Sequence, residues 1–409
     1  MTTTANRTTA RTGDPAVRRK RLSRPVAFAA IAAIFVTFTA ASSAPSPLYV
    51  VYQQLWGFSA VTLTVVFAVY VVGLIGALLV LGALSDHVGR RPVLAAAIGL
   101  EIVALVLFLA AGDVPVLLAA RFLQGIATGA ALTTLGAALV DLNPPHAPGR
   151  AGLVNSVVPP AGLAIGSLGT GALVQFAPGP THFVYALLLA GMAVAALVVL
   201  VMPETSGRRP GGVASLIPRL GVPARLRGAV FALVPIIVAS WALGGLYLSL
   251  GPSVAVGVFG LANHLIGGLV VTLLCGTGAV TAFALRTWPT PRVLTIAGAL
   301  LTVGTAVTLV GVQTGNVVFG AVGTALAGIG FGASALASFG TLALLAAPHE
   351  RGELFAVALT IAYVAFSLPA VIAGLAATSA GLHLTTVVYG LVVVALGLAA
   401  LAAQRVRRA

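Results

Sequence analysis

The sequence predicts an all-α integral membrane protein with twelve transmembrane helices in two related sets of six. Three observations carry that prediction: charge is scarce, apolar runs of membrane-spanning length recur, and the basic residues fall in alternate loops. Hydrophobic residues fill 59% of the 409 positions and charged residues 7%, against about 25% charged in soluble domains. So few polar side chains cannot cover a water-facing surface. The apolar runs fall at 26–47, 60–83, 93–112, 115–140, 151–174, 183–202, 228–250, 264–284, 293–312, 317–346, 353–378 and 384–404, numbered here helices 1 to 12. Each is near or above the roughly 20 residues that span a hydrocarbon core.

Residues 1–25 precede the first run as a Thr- and Arg-rich tail without apolar periodicity, which predicts disorder. Helix 1 ends in Ala40-Ala41-Ser42-Ser43-Ala44, small residues that also suit signal-peptide cleavage. Its length and the Pro45-Ser46-Pro47 that follows favour an uncleaved helix stopping near residue 47. Of 22 basic residues, all but Arg121 lie in the two tails or in the loops after helices 2, 4, 6, 8 and 10. The positive-inside rule then places both termini in the cytoplasm. Basic residues spread in this way meet anionic headgroups. The net charge of +14 therefore implies membrane lipids as partners and no nucleic acid. Arginine supplies the charge almost alone, with Lys20 the single lysine. With the Ala and Gly content, this points to a bacterial source and a plasma-membrane location. The lone Cys275 excludes an internal disulfide.

The longest loop, 203–227, is basic and rich in Gly and Pro. It divides the chain into bundles at 26–202 and 228–404, with a short cytoplasmic tail at 405–409. The halves repeat at an offset of 200 to 203 residues. Gly125-Ile126-Ala127-Thr128-Gly129-Ala130 matches Gly328-Ile329-Gly330-Phe331-Gly332-Ala333, Arg150 matches Arg351, and Pro92-Val93-Leu94 matches Arg292-Val293-Leu294.

Between helices 2 and 3 runs Gly82-Ala83-Leu84-Ser85-Asp86-His87-Val88-Gly89-Arg90-Arg91, a charged stretch between two apolar runs. At every fixed position it resembles the GxLxDxxGRR loop of major facilitator superfamily transporters. The resemblance implies that superfamily's fold: a monomer of two pseudo-symmetric six-helix bundles with a small-molecule substrate between them. Helices 1, 4, 7 and 10 would line the cavity, and helices 2, 5, 8 and 11 would flank and gate it. It also implies a cytoplasmic latch, made when the cavity faces outward. Gly82, Asp86, Gly89, Arg90 and Arg91 would form it with Asp141 and Glu204. Glu204 lies in Pro203-Glu204-Thr205, which resembles the PET sequence closing helix 6 in many members. The second copy of the loop has decayed, with Arg286 in place of Asp86 and Pro289 in place of Gly89.

Helical spacing puts Arg121, Gln124 and Thr128 on one face of helix 4. The run Arg121-Phe122-Leu123-Gln124-Gly125 resembles a helix-4 motif of proton-linked facilitators, where the arginine handles proton or substrate. An arginine in hydrocarbon needs a partner or water; the alternative is that it snorkels to the nearer surface. Glu101 is the only acid deep in an apolar run. It is either a proton carrier or a structural partner of Arg121 or of a Ser or Thr. Helix 1 has no acid, a departure from many proton-linked drug exporters. Helix 5 carries Pro159, Pro160, Gly162 and Gly166, similar to a Gly/Pro-rich antiporter motif but without its Gly-Pro dipeptide. Small residues there serve close helix contact equally well. In the second half, Trp241 on helix 7 and Tyr363 and Ser367 on helix 11 are candidate substrate contacts. Trp is also a common interfacial anchor, and Ser a common partner of its own helix backbone.

No GxxxxGK[ST] loop is present, the six His residues are dispersed, and no nucleophile is paired with a base. The sequence predicts no enzyme, no catalytic residue, no metal site and no cofactor, with a proton gradient as the energy source. The expected function is alternating-access secondary transport: efflux of a lipophilic or amphipathic small molecule in exchange for protons, as in multidrug antiporters. The alternatives are a sugar or other metabolite transporter of the same fold, and a non-transporting membrane receptor or assembly factor.

Overall fold

A computed structural model describes residues 21–147, 149–207, 209–218, 220–347 and 350–406. The predicted basic tail lies outside the described residues as far as Lys20, as do Arg208, Arg219, His349 and the last three residues. Among the described residues there are twelve helices long and apolar enough to cross a membrane, and no strand. Helix 1 is Arg24–Ser43 continued by Pro45–Trp56, and helices 2 to 6 are Ala60–Leu81, Arg90–Ala110, Val114–Asp141, Arg150–Phe176 and Pro180–Val201. Helices 7 to 12 are Arg227–Ser249, His264–Ala284, Thr290–Thr314, Val317–Leu345, Arg351–Ala380 and Leu382–Val406.

Local chemistry explains where these helices begin. At the end of the molecule away from the termini, the start of helix 2 is capped by Ser59 and that of helix 4 by Asp113. The starts of helices 8 and 10 are capped by Asn263 and Asn316. Each cap accepts hydrogen bonds from otherwise unpaired N–H groups of the first turn. The caps repeat with the halves, because helix 8 corresponds to helix 2 and helix 10 to helix 4.

Helix 1 departs from the expected stop near residue 47. Ala44 forms a turn, and Pro45 restarts the helix at its first position, where a missing N–H costs nothing. The chain then stays helical to Trp56 and ends at Gly57, φ 64°. Helix 7 has the same design: it ends at Ser249, and a short helix, Gly251–Gly257, restarts with Pro252 in its first turn.

Packing follows the repeat. In the first bundle helix 4 lies on helices 2 and 3, helix 1 on helix 5, and helix 3 on helix 6. Adding six to each number gives the main contacts of the second bundle, and the two seams between bundles (helix 5 on 8, helix 2 on 11) exchange under the same operation. The matched Gly segments of helices 4 and 10 owe their identity to this packing. A Cβ at Gly125 would overlap the Tyr70 carbonyl of helix 2, and one at Gly328 would overlap Leu274 and Thr277 of helix 8. Only glycine permits those approaches.

The termini and most basic loops share one end, called here the basic end. Cross-bundle hydrogen bonds among the described residues lie from mid-helix toward the opposite, far end. Ser46 Oγ donates to the Leu248 carbonyl (2.6 Å), Thr272 Oγ1 to Ala164 O (3.0 Å), and His264 N to Gln175 Oε1 (3.1 Å). The bundles are thus tied together at the far end.

The helix 2–helix 4 seam yields a stability prediction. Gly125→Val should cost about 1–3 kcal/mol, because backbone rather than a movable side chain stands in the way. Gly99→Ala, where the new Cβ meets nothing within 4 Å, should leave stability unchanged or slightly raised. Thermal unfolding of the detergent-purified variants measures both.

Candidate functional site

Helix 3 packs along helix 4, which turns Glu101 toward the face carrying Arg121 and Gln124. Gln124 joins the two charges. Its Oε1 accepts from Arg121 Nη1 (2.6 Å), and its Nε2 donates to Glu101 Oε1 (3.0 Å) and to the Ala41 carbonyl of helix 1 (3.1 Å). Arg121 Nη1 also donates to the Ser42 carbonyl (3.1 Å). All three side chains are at most 2% exposed. The guanidinium lies 4.4 Å from the Tyr70 ring centroid and 5.8 Å from that of Tyr49. Arg121 therefore turns into the bundle and does not snorkel.

A lone arginine mid-membrane costs on the order of 3 kcal/mol on insertion scales. A carboxylate one amide away and two aromatic faces offset that cost. Two buried polar atoms of the charged pair make no hydrogen bond: Glu101 Oε2 and Arg121 Nε. Each costs about 1–3 kcal/mol while unpaired. The two tyrosines were absent from the sequence candidates. Tyr49 lies past the expected end of helix 1. Tyr70 had a signal, being the one polar side chain in the middle of helix 2.

Aromatic residues form a second cluster at the bundle seam. The Trp241 ring is 4.9 Å from Tyr363 and 5.8 Å from Phe366, and Phe366 is 5.0 Å from Phe67 of helix 2. Helices 7 and 11 of the second bundle thus meet helix 2 of the first. Ser367 donates to the Tyr363 carbonyl of its own helix (3.1 Å) and is engaged there.

At the basic end, Arg90 pairs with Asp86 (2.5 Å) and Asp141 (3.1 Å) and donates to Ser85 Oγ (2.6 Å). Glu204 accepts from the Arg90 and Arg91 N–H groups (2.8 and 3.1 Å), at the first residues of helix 3, and from those of Thr205 and Ser206. Arg91 in return donates to the Val199 and Leu200 carbonyls at the end of helix 6 (3.0 and 2.6 Å). An anion thus caps a helix N-terminus and a cation the neighbouring C-terminus, each sign favoured by the helix dipole. Gly89 has φ 108°, and a Cβ there would come within 2.8 Å of the Glu204 carboxylate. These pairs all lie inside the first bundle. They coexist with cross-bundle bonds at the far end, whereas the resemblance ties them to an outward-facing cavity. In the decayed copy, Arg286 lies over the Phe283 ring (4.2 Å) and donates to its own helix (2.6 Å).

Two six-helix bundles related by an approximate repeat, with a charged pair buried beside the seam, define a multi-pass membrane carrier. The family model described as Major Facilitator Superfamily matches residues 26–370, and the chain belongs to that superfamily. It is a transporter family and not an enzyme family. The multidrug resistance protein MdtL of Shewanella oneidensis is 33% identical over 158 residues, covering 37% of this chain and 38% of the relative's length. The solved nucleoside transporter NupG aligns with a TM-score of 0.72 at 12% identity, over 93% of this chain and all of that one. The human organic anion transporter MFSD10 gives 0.67 at 17%, again over 93% of this chain and 100% of its own. A bacterial homologue of the human lysosomal transporter Spinster gives 0.70 at 14%, over 93% and 97%. At these identities the structural likeness establishes the fold.

The cross-capping by Glu204 predicts that Glu204→Ala lowers stability by about 1–2 kcal/mol. It removes the acceptor for four N–H groups at once. A drop in the melting temperature of purified protein is the expected reading, and an unchanged value would remove Glu204 from the role of cap.

Proposed function

We propose that this transporter exports a lipophilic or amphipathic small molecule in exchange for protons. The observation that carries the reading is the buried Glu101–Gln124–Arg121 linkage. It provides one acid, held away from bulk water and next to a fixed positive charge, in a region where few other groups titrate. An antiporter needs a group that is protonated on one side of the membrane and empties on the other, and Glu101 serves in that role. The aromatic seam of Trp241, Tyr363, Phe366 and Phe67 supplies flat apolar faces with few hydrogen-bonding groups. That chemistry suits a lipophilic, partly aromatic solute better than a polyhydroxylated one. The partial likeness to a multidrug resistance protein favours the same direction. The positive-inside rule assigns the basic end to the cytoplasm. Transport then alternates between the present arrangement, tied at the far end, and one open there.

Two measurements test the reading. In proteoliposomes with an imposed pH gradient, Glu101→Gln should abolish gradient-driven movement of lipophilic amphipaths while leaving substrate binding measurable. If gradient-driven transport persists in that variant, Glu101 does not carry the proton. Trp241→Ala should raise KM for planar aromatic substrates by about 2- to 10-fold, the value of one aromatic contact, with little change for aliphatic ones.

A further inference from the structure

The helix restarts at Pro45 and Pro252 each leave a carbonyl to be satisfied from outside its own helix. Pro45 has no N–H, so the Ala41 carbonyl four residues earlier lacks its helical donor. Gln124 Nε2 supplies one at 3.1 Å. Pro252 does the same to Leu248 in helix 7. There Ser46 Oγ, in the segment that Pro45 restarts, supplies the donor at 2.6 Å, buried and across the bundles. The first bond ties helix 4 to the break in helix 1. The second ties the segment beyond that break to the break in helix 7, at the far end. A continuous path of contacts therefore runs from Glu101 through Gln124 and the helix 1 break to the far-end closure.

We propose that Gln124 is the positioning residue that transmits the protonation state of Glu101 to the break in helix 1, and so to the opening of the far end. The proposal rests on the reading of Glu101 as the proton carrier. An amide has two N–H donors and one carbonyl acceptor. With Glu101 ionised, one donor set serves both Glu101 and Ala41, and the amide oxygen accepts from Arg121. Protonation removes the charge that strengthens the Gln124–Glu101 bond. It also creates an O–H that needs an acceptor, and Glu101 Oε2 has no partner where it stands. The amide oxygen of Gln124 is the acceptor within the network, reached when the amide turns over. A turned amide presents oxygen to the Ala41 carbonyl and N–H groups to Arg121, so both existing bonds are lost. The break in helix 1 is then unpinned, so the protonated carrier can rock in either direction while the empty, deprotonated one is held, as exchange requires.

The groups facing Glu101 are few. Helix 4 brings Arg121, and helix 2 brings Tyr70. Farther out, helix 6 places Tyr185 on Phe108 of helix 3 at 4.6 Å, and helix 1 places Tyr49 over Arg121. Arginine and tyrosine keep their charge states between about pH 5 and about pH 8, which leaves Glu101 as the group in this cluster whose charge can change.

Paired spin labels at the far end test the proposal on the full chain in lipid nanodiscs. The sites are Leu55→Cys on the helix 1 segment and Ala262→Cys before helix 8, both exposed, with the single native cysteine replaced (Cys275→Ala). The wild-type background should show longer interspin distances at about pH 5 than at about pH 8. Gln124→Leu should show the long distances at both, as should Glu101→Gln. If Gln124→Leu keeps the full pH response while Glu101→Gln loses it, the role of Gln124 is overturned and the coupling reading stands. If Glu101→Gln keeps the response, the coupling reading falls and this proposal falls with it. Gln124→Met serves the same comparison should the leucine variant fail to fold. Ser46→Ala should lengthen the distance at the higher pH; an unchanged distance there overturns the far-end part of the path.

Discussion

The charge on Arg121 sits where lipid offers no counter-charge, and much of the first bundle is arranged around it. Helix 3 is rotated so that Glu101 faces helix 4, and Gln124 stands between the two charges. Helix 1 turns two backbone carbonyls toward the same place, and two tyrosine rings cover the guanidinium. Burial of an ion pair contributes little net stability, but removal of one partner is costly. The geometry of this core therefore depends on both charges being present.

The proline breaks and the polar core solve related problems. Within hydrocarbon every backbone group needs a partner, and a proline in a helix leaves one carbonyl without its own. Here the freed carbonyls of Ala41 and Leu248 are answered by Gln124 and Ser46. The bends in helices 1 and 7 therefore depend on side chains from other helices. Bends held in this way can shift when a donor is withdrawn, whereas an unbroken helix would resist.

The basic end works on different terms. Its network caps helix 3 with Glu204 and the end of helix 6 with Arg91, within one bundle. The far end is held by bonds between bundles. The repeat matches helix packing, caps and glycine contacts between halves, yet the charged loop survives in one half alone. Packing constraints act on both halves equally; the loop network of Asp86, Arg90 and Arg91 belongs to the first.

The spans, the repeat and the basic end were determined by the sequence alone, because the bilayer forces apolar length and charge placement to report topology directly. The face of helix 4 was legible too, since 3.6-residue spacing groups Arg121, Gln124 and Thr128 without knowledge of any neighbour. Tyr49 is hidden in the sequence because prolines after residue 44 predict the end of helix 1, whereas the restart puts Pro45 at a position where its missing N–H costs nothing. Glu204 as a cap, Tyr70 as a cover for Arg121 and the Trp241–Phe366–Phe67 stack were decided only by the tertiary structure. So was the placement of Glu101 one amide away from Arg121. A hydrogen bond or ring contact depends on the rotation and register of one helix against another, and hydropathy along a chain carries neither.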